Sequence, residues 1–132
     1  GVEERVKLDF RFIPDDEIAA VFAASEVVVA PYRREAQSGV ALTAFHFGRP
    51  VVATEVGGLP EIIEDGANGF LVPPGDPETL AAVLDRFFEG DLWGPLSKGA
   101  RSSAAHYSWE RYARVLEVAV GGAARETAAK GE

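Results

Sequence analysis

Cysteine is absent from this chain of 132 residues, which excludes disulfide stapling and thiolate chemistry. Histidine is almost absent: His46 and His106 stand sixty positions apart and form no recognisable metal site, so metal-centred catalysis is not expected. Positive charge is scarce too, with 13 Lys and Arg against 21 Asp and Glu and a formal net charge of −8. That balance disfavours broad nucleic-acid binding, which needs clustered cations to replace counterions. No apolar run approaches the length that crosses a bilayer, so no transmembrane segment is expected. The N-terminus lacks the charged-then-apolar pattern of a secretion signal, and the chain reads as cytoplasmic. It begins at Gly1 rather than methionine and opens almost at once into a strand pattern, as expected of a piece cut from a longer protein.

What is present is enough apolar material for one core: 47% of the residues are hydrophobic, in a length typical of a single domain. Val6, Leu8, Phe10 and Phe12 alternate with Lys7, Asp9 and Arg11, which predicts a strand over residues 6–12 near a sheet edge. Pro14-Asp15-Asp16-Glu17 supplies a helix start, and Ile18, Val21 and Phe22 an apolar stripe, for a helix running to Ala24. Val27-Val28-Val29-Ala30 is a continuous run closed by Pro31, the form of a parallel strand covered on both faces. Pro50-Val51-Val52-Ala53 and Gly69-Phe70-Leu71-Val72 repeat it. Between these runs the pattern predicts a helix over residues 38–47 stopped at Gly48, and a turn or short helix over residues 60–63.

Asp76-Pro77-Glu78 reads as a capped helix start, with Leu80, Val83, Leu84, Phe87 and Phe88 as the buried face. A less regular helical stretch is expected over residues 91–105. Ser108 then opens a last helix with Trp109, Tyr112, Ala113 and Leu116 on one side. Residues 121–132 are small and polar and are expected to form a disordered tail. Regular β-α alternation of this kind argues for an α/β domain: a partial Rossmann-like, three-layer arrangement of about four parallel strands, with helices on both faces and extra C-terminal helices.

Residues 31–61, PYRREAQSGVALTAFHFGRPVVATEVGGLPE, carry most of the chemistry. A strand ends in a loop holding Glu35, and that loop feeds through Ser38-Gly39 into an apolar helix. Free amides and the positive end of the helix dipole converge at such a start, and a small residue lets an anion approach the main chain. Glu35 can accept hydrogen bonds from hydroxyls on whatever carries that anion, so a sugar phosphate satisfies both halves of the site. Structural readings stand beside these. Glu35 fits a solvated loop carboxylate, Ser38 an ordinary cap, and Gly57-Gly58 a turn needing positive φ. Glu61 fits either a cap or a residue lining the cleft. Arg33 and Arg34 could assist a diphosphate or simply be solvated, while His46, His106 and Trp109 read as structural.

Together with Glu35 and the following Ser38-Gly39-Val40, several motifs resemble one family. They are Gly48-Arg49-Pro50-Val51-Val52-Ala53, Val56-Gly57-Gly58-Leu59-Pro60-Glu61, Asp65-Gly66, Gly69-Phe70-Leu71-Val72, Pro74-Gly75-Asp76-Pro77 and Ser108-Trp109-Glu110. The chain resembles the retaining, nucleotide-sugar-dependent glycosyltransferases of group 1 (family 4), with the GT-B fold, over residues 6–120. The resemblance implies two Rossmann-like domains facing across a cleft, with this chain the later part of the C-terminal, nucleotide-sugar-binding domain. The acceptor domain and a basic pair for the diphosphate would lie in absent segments, so the isolated chain is expected to be inactive. Glu35, Gln37, Ser38, Gly39 and Val40 become the donor-sugar and diphosphate contacts; no catalytic group is assigned, and the family requires no metal or other cofactor. The family pairs two glutamates with seven residues between them, and the second position here is Thr43. A threonine hydroxyl offers the ribose a single contact worth about 1 kcal/mol, where a carboxylate would take two hydroxyls.

Ten Arg against three Lys suggest a bacterial source. The competing reading is a nucleotide-sugar-binding or assembly module whose donor site has decayed at Thr43. A phosphoacceptor domain would need an acidic cluster with a downstream lysine, which the sequence does not supply. In the family's strand order two absent strands would separate residues 6–12 from residues 26–30. These two segments are therefore expected either to pair directly or to complete the sheet with a second copy, self-associating through the exposed edges.

Overall fold

The computed structural model of the chain describes residues 1–34 and 39–108 and, beyond them, residues 111, 113–115 and 118. Its centre is a parallel sheet in the order β1-β2-β3, formed by β1 (Val28–Ala30), β2 (Val51–Thr54) and β3 (Gly69–Val72). Val28 pairs with Val51, and Val51 with Gly69, so the three strands run in step and end at one common edge. The connections are α2 (Gly39–His46) between β1 and β2, and α3 (Leu59–Ile62) between β2 and β3. They are flanked by α1 (Asp15–Ala23), α4 (Pro77–Glu89) and α5 (Trp93–His106), and residues 111, 113–115 and 118 are helical as well.

Alternation along β2 separates two cores. Val51 and Ala53 point into one face with Ala41, Ala44 and Phe45 of α2, Leu59 of α3 and Ala100 of α5. Val52 points into the other with Phe70 and Val72 of β3 and Phe87 of α4. β2 is buried throughout, as its unbroken apolar run predicts for a strand covered on both sides. The result is the three-layer α/β arrangement with helices on both faces.

Residues 6–12 depart from expectation. They form no strand, and Leu8, Phe10 and Phe12 are 70–90% exposed. A strand is held by its neighbours' amides and carbonyls, and period-two patterning alone provides none. β1 is bonded to β2 on one side and to nothing on the other among the described residues, so the direct pairing of residues 6–12 with β1 is not made. The sheet accordingly has three strands where the pattern suggested four. The extended segment is held by Arg11, whose Nη1 donates to Glu17 at 2.9 Å and whose Nε reaches Asp9 at 3.1 Å. These exposed ion pairs add little stability.

Other departures are local. Val21 and Phe88 face solvent rather than the core, each lying off the stripe that its helix buries. The helical stretch expected over residues 91–105 is the regular helix α5 (Trp93–His106), whose small Ala100 and Ala104 let it lie close against α2. Gly48 ends α2 with φ 65° as anticipated. The tail and Trp109, Tyr112 and Leu116 lie outside the described residues.

Two buried polar groups lock the layers together. Ser97 donates to the Gly48 carbonyl at 2.7 Å. Asn68 donates to the Ile62 carbonyl (3.1 Å) and to Ser103 Oγ (2.9 Å) while accepting from the Glu64 amide (2.9 Å). Packing of α5 here is at its closest: a Cβ on Gly99 would fall onto the Ala67 carbonyl oxygen. Gly99→Ala is therefore expected to destabilise the fold by about 3 kcal/mol or more. Gly94→Ala, in the same helix with nothing within 4 Å of the new methyl, should stabilise by up to about 0.5 kcal/mol. Urea unfolding of the two variants checks the opposite signs. Asp76 caps α4 as predicted, accepting from the Thr79 hydroxyl (2.6 Å) and amide (2.9 Å). These bonds hold its carboxyl below the usual range, the Thr79 hydroxyl foremost. A depressed folded-state value means stability present above the ordinary carboxylate pKa and lost as pH falls through the folded one. Asp76→Ala should lower the urea midpoint at neutral pH, and the gap to wild type should close on acidification below about pH 4.

Candidate functional site

In a parallel sheet every strand delivers its following loop to the same edge, and ligands of such folds bind outside the carboxyl ends of the strands. Here that edge carries the chain leaving β1 at Pro31, the start of α2, and the loop after β2. Pro31 has no amide to donate and closes the β1 ladder after Ala30. The chain then turns tightly, with the Tyr32 amide donating to the Ala30 carbonyl at 3.0 Å, and Tyr32 packs against the α2-side core. Arg33 and Arg34 follow, both exposed.

Of the residues anticipated for the site, Glu35, Gln37 and Ser38 lie outside the described residues. Gly39 and Val40 open α2 and face solvent, and a Cβ on Gly39 would meet nothing within 4 Å. The approach to the first-turn backbone is thus open among the described residues, where helix geometry leaves amides without intrahelical partners. α2 turns Ala41, Ala44 and Phe45 inward, which leaves Gly39 and Thr43, one turn apart, together on its outward side. Thr43 is half-buried, and its hydroxyl donates to the Gly39 carbonyl at 2.8 Å. Its proton being so used, the hydroxyl can accept hydrogen bonds but has none to give.

The loop after β2 completes the edge. The Val56 amide donates to the Thr54 carbonyl at 2.8 Å, and Glu55 stays tied to β3 through the Val72 carbonyl at 2.9 Å. Gly57 takes φ 55°, the positive value expected of the Gly57-Gly58 pair, whereas Gly58 stays at −83° and leads into α3. Glu61 is exposed and caps nothing; its carbonyl accepts from the Tyr107 hydroxyl at 3.0 Å. His46 is exposed and stacks edge-on with Phe47, in keeping with a structural role.

A groove of about 590 Å³ lies elsewhere, between α3, the segment entering β3, and the C-terminal half of α5. It is lined by Glu61, Glu64, Asn68, Ser103, His106 and Tyr107 among others. Apart from Glu61 it contains none of the anticipated residues, and Asn68 at its floor is fully engaged by its own neighbours. Volume alone therefore does not mark the site. Thr54, a buried hydroxyl at the end of β2, escaped sequence reasoning, since a threonine in a strand carries no signal of its own. No helix among the described residues is long and apolar enough to cross a membrane, and no group of three or more acidic or histidine side chains there could hold a metal.

Comparison with known proteins agrees with this geometry. The family model described as "Glycosyl transferases group 1" matches residues 1–89. A D-inositol 3-phosphate glycosyltransferase from Saccharomonospora viridis is 40% identical over 105 residues, which is 76% of this chain and 24% of that protein. Sucrose-phosphate synthase from Thermosynechococcus elongatus superposes with a TM-score of 0.78 at 29% identity, covering 98% of this chain and 32% of that one. Anabaena HepE, crystallised in complex with UDP and glucose, gives 0.70 at 32% identity over 80% of this chain and 28% of its own. The chain spans about a quarter of the length of the curated relatives it matches. Its sheet, its helix order and two thirds of its sequence thus carry one signature, and the chain belongs to the group 1 glycosyltransferases.

Proposed function

We propose that the chain is the later part of the C-terminal, donor-binding domain of a retaining glycosyltransferase. The intact enzyme would move a hexose-type sugar from a nucleoside diphosphate to an acceptor hydroxyl, with retention at the anomeric carbon. The observation that carries this reading is the start of α2 at the carboxyl edge of the sheet, open among the described residues, in a chain of this family. Kinship with a protein crystallised with UDP and glucose supports a nucleotide-sugar donor. The diphosphate would lie against the first turn at Gly39 and Val40, with Ser38 and Gln37 preceding it and Glu35 accepting from hydroxyls of the sugar. There the helix dipole and free amides would stabilise the charge that develops on the leaving diphosphate. The acceptor would be held by an N-terminal domain outside this chain, so the isolated chain is proposed to be inactive. No metal or other cofactor has a part in the proposal.

Thr43 favours a second reading, in which the donor site has weakened and the domain serves binding or assembly. Its proton is already committed to Gly39, so it replaces the two oxygens of a charged carboxylate with one neutral oxygen. Titration of the intact protein with a panel of nucleoside-diphosphate sugars separates the two. Saturable binding, tightened about tenfold by Thr43→Glu through a charge-assisted ribose contact, is the expected result. Absence of binding at millimolar ligand removes the enzyme reading.

A further inference from the structure

We propose that Thr54 is a positioning residue for the donor pocket, its buried hydroxyl fixing the chain at Tyr32 where it leaves β1. The proposal rests on the donor-site reading given under Proposed function. Thr54 is the last residue of β2 and is 3% exposed. Its Oγ1 donates to the Tyr32 carbonyl at 2.6 Å, with the Ala30 carbonyl at 3.5 Å. A hydroxyl has one proton, so the shorter bond to Tyr32 is the principal one.

The bond falls where the backbone can no longer do the work. The β1–β2 ladder runs from Val28↔Val51 to Ala30↔Ala53 and stops, since Pro31 brings no amide to continue it. Immediately beyond, the Tyr32 amide folds back onto the Ala30 carbonyl, a tight three-residue turn that leaves the Tyr32 carbonyl aimed at β2. Thr54 takes that carbonyl, and so ties the second residue beyond β1 to the most buried strand. The same residue starts the second loop of the edge, because its carbonyl accepts from the Val56 amide at 2.8 Å. One side chain therefore sets the spacing between the Tyr32-Arg33-Arg34 segment and the Val56-Gly57 turn. Packing does not explain the choice, since valine would fill the same volume in a strand otherwise built of Val and Ala. Valine would leave the Tyr32 carbonyl without its bond.

The test compares Thr54→Val, Thr54→Ala and Thr54→Ser in the full-length transferase, using UDP-glucose, or GDP-mannose should wild type prefer a purine. Thr54→Val is expected to raise donor Kd and donor KM about five- to tenfold, the loss of one buried hydrogen bond. Acceptor KM and the turnover rate at saturating donor should stay within about twofold, and Thr54→Ser should restore wild-type donor binding. A residue that only stabilises the fold would lower the melting temperature and leave donor Kd unmoved. Wild-type donor affinity in either folded variant lacking the hydroxyl overturns the proposal. Failure of both to fold assigns Thr54 to structure alone and overturns it equally. A wild-type protein that binds no nucleotide sugar removes the donor-site reading itself and this role with it. Binding by wild type with unaffected variants removes only the role of Thr54.

Discussion

β2 pairs with β3 through all four of its residues and with β1 through the first three, it is buried on both faces, and the rest of the structure is arranged around that constraint. A strand so enclosed has one permissible register, because a slip by one residue would exchange Val52 with Val51 and Ala53 between two differently shaped cores. The register in turn decides where β1 and β3 end, and therefore which loops meet at the carboxyl edge. Function in this fold is a matter of what hangs from that edge, since the sheet supplies position and the loops supply chemistry.

Two kinds of contact carry position from the sheet to the edge. Backbone pairing does so as far as Ala30 and Ala53. Side chains take over beyond, with Thr54 reaching Tyr32 and Ser97 reaching the Gly48 carbonyl at the far end of α2. Arg49 adds a further tie: its Nη2 donates to the Ala23 carbonyl at the end of α1 (3.2 Å), while its guanidinium lies 5.9 Å from the Trp93 ring. α2 is thus anchored beyond its C-terminal end and along its inner face, leaving only Gly39, Val40, Leu42 and His46 openly exposed among its residues. A helix held this way can present its first turn to an anion without reorganising, which is what electrostatic stabilisation of a leaving group requires.

Much of this was legible in the sequence, and the limits have physical causes. Continuous apolar runs at residues 27–30, 50–53 and 69–72 became the three strands because a run buried on both faces has few other outcomes. Asp76-Pro77 became a cap because its signal is local. Residues 6–12 carry an equally clear period-two pattern and form no strand, since pairing depends on a partner that the pattern cannot name. Phe88 and Val21 were assigned inward by type, although each lies off the stripe its helix buries. At the site, sequence pointed to Gly39, Val40 and Thr43, which lie on the first two turns of α2, and to Glu35, Gln37 and Ser38, which lie outside the described residues. The Thr43 hydroxyl bonds the Gly39 carbonyl, as a threonine inside a helix commonly bonds its own preceding turn, whereas sequence could not reveal that Thr54 holds Tyr32, because that depends on where a distant carbonyl points.

The central claim is that a nucleotide sugar lies at the carboxyl edge of the sheet and not in the groove beside α5. Amide hydrogen exchange of the full-length protein, with and without UDP-glucose, tests it directly. The account predicts slowed exchange at Gly39 and Val40 and at the Val56-Gly57 turn, with Asn68, Ser103 and Tyr107 unchanged. Slowing confined to Asn68, Ser103 and Tyr107, with the start of α2 unaffected, would contradict it.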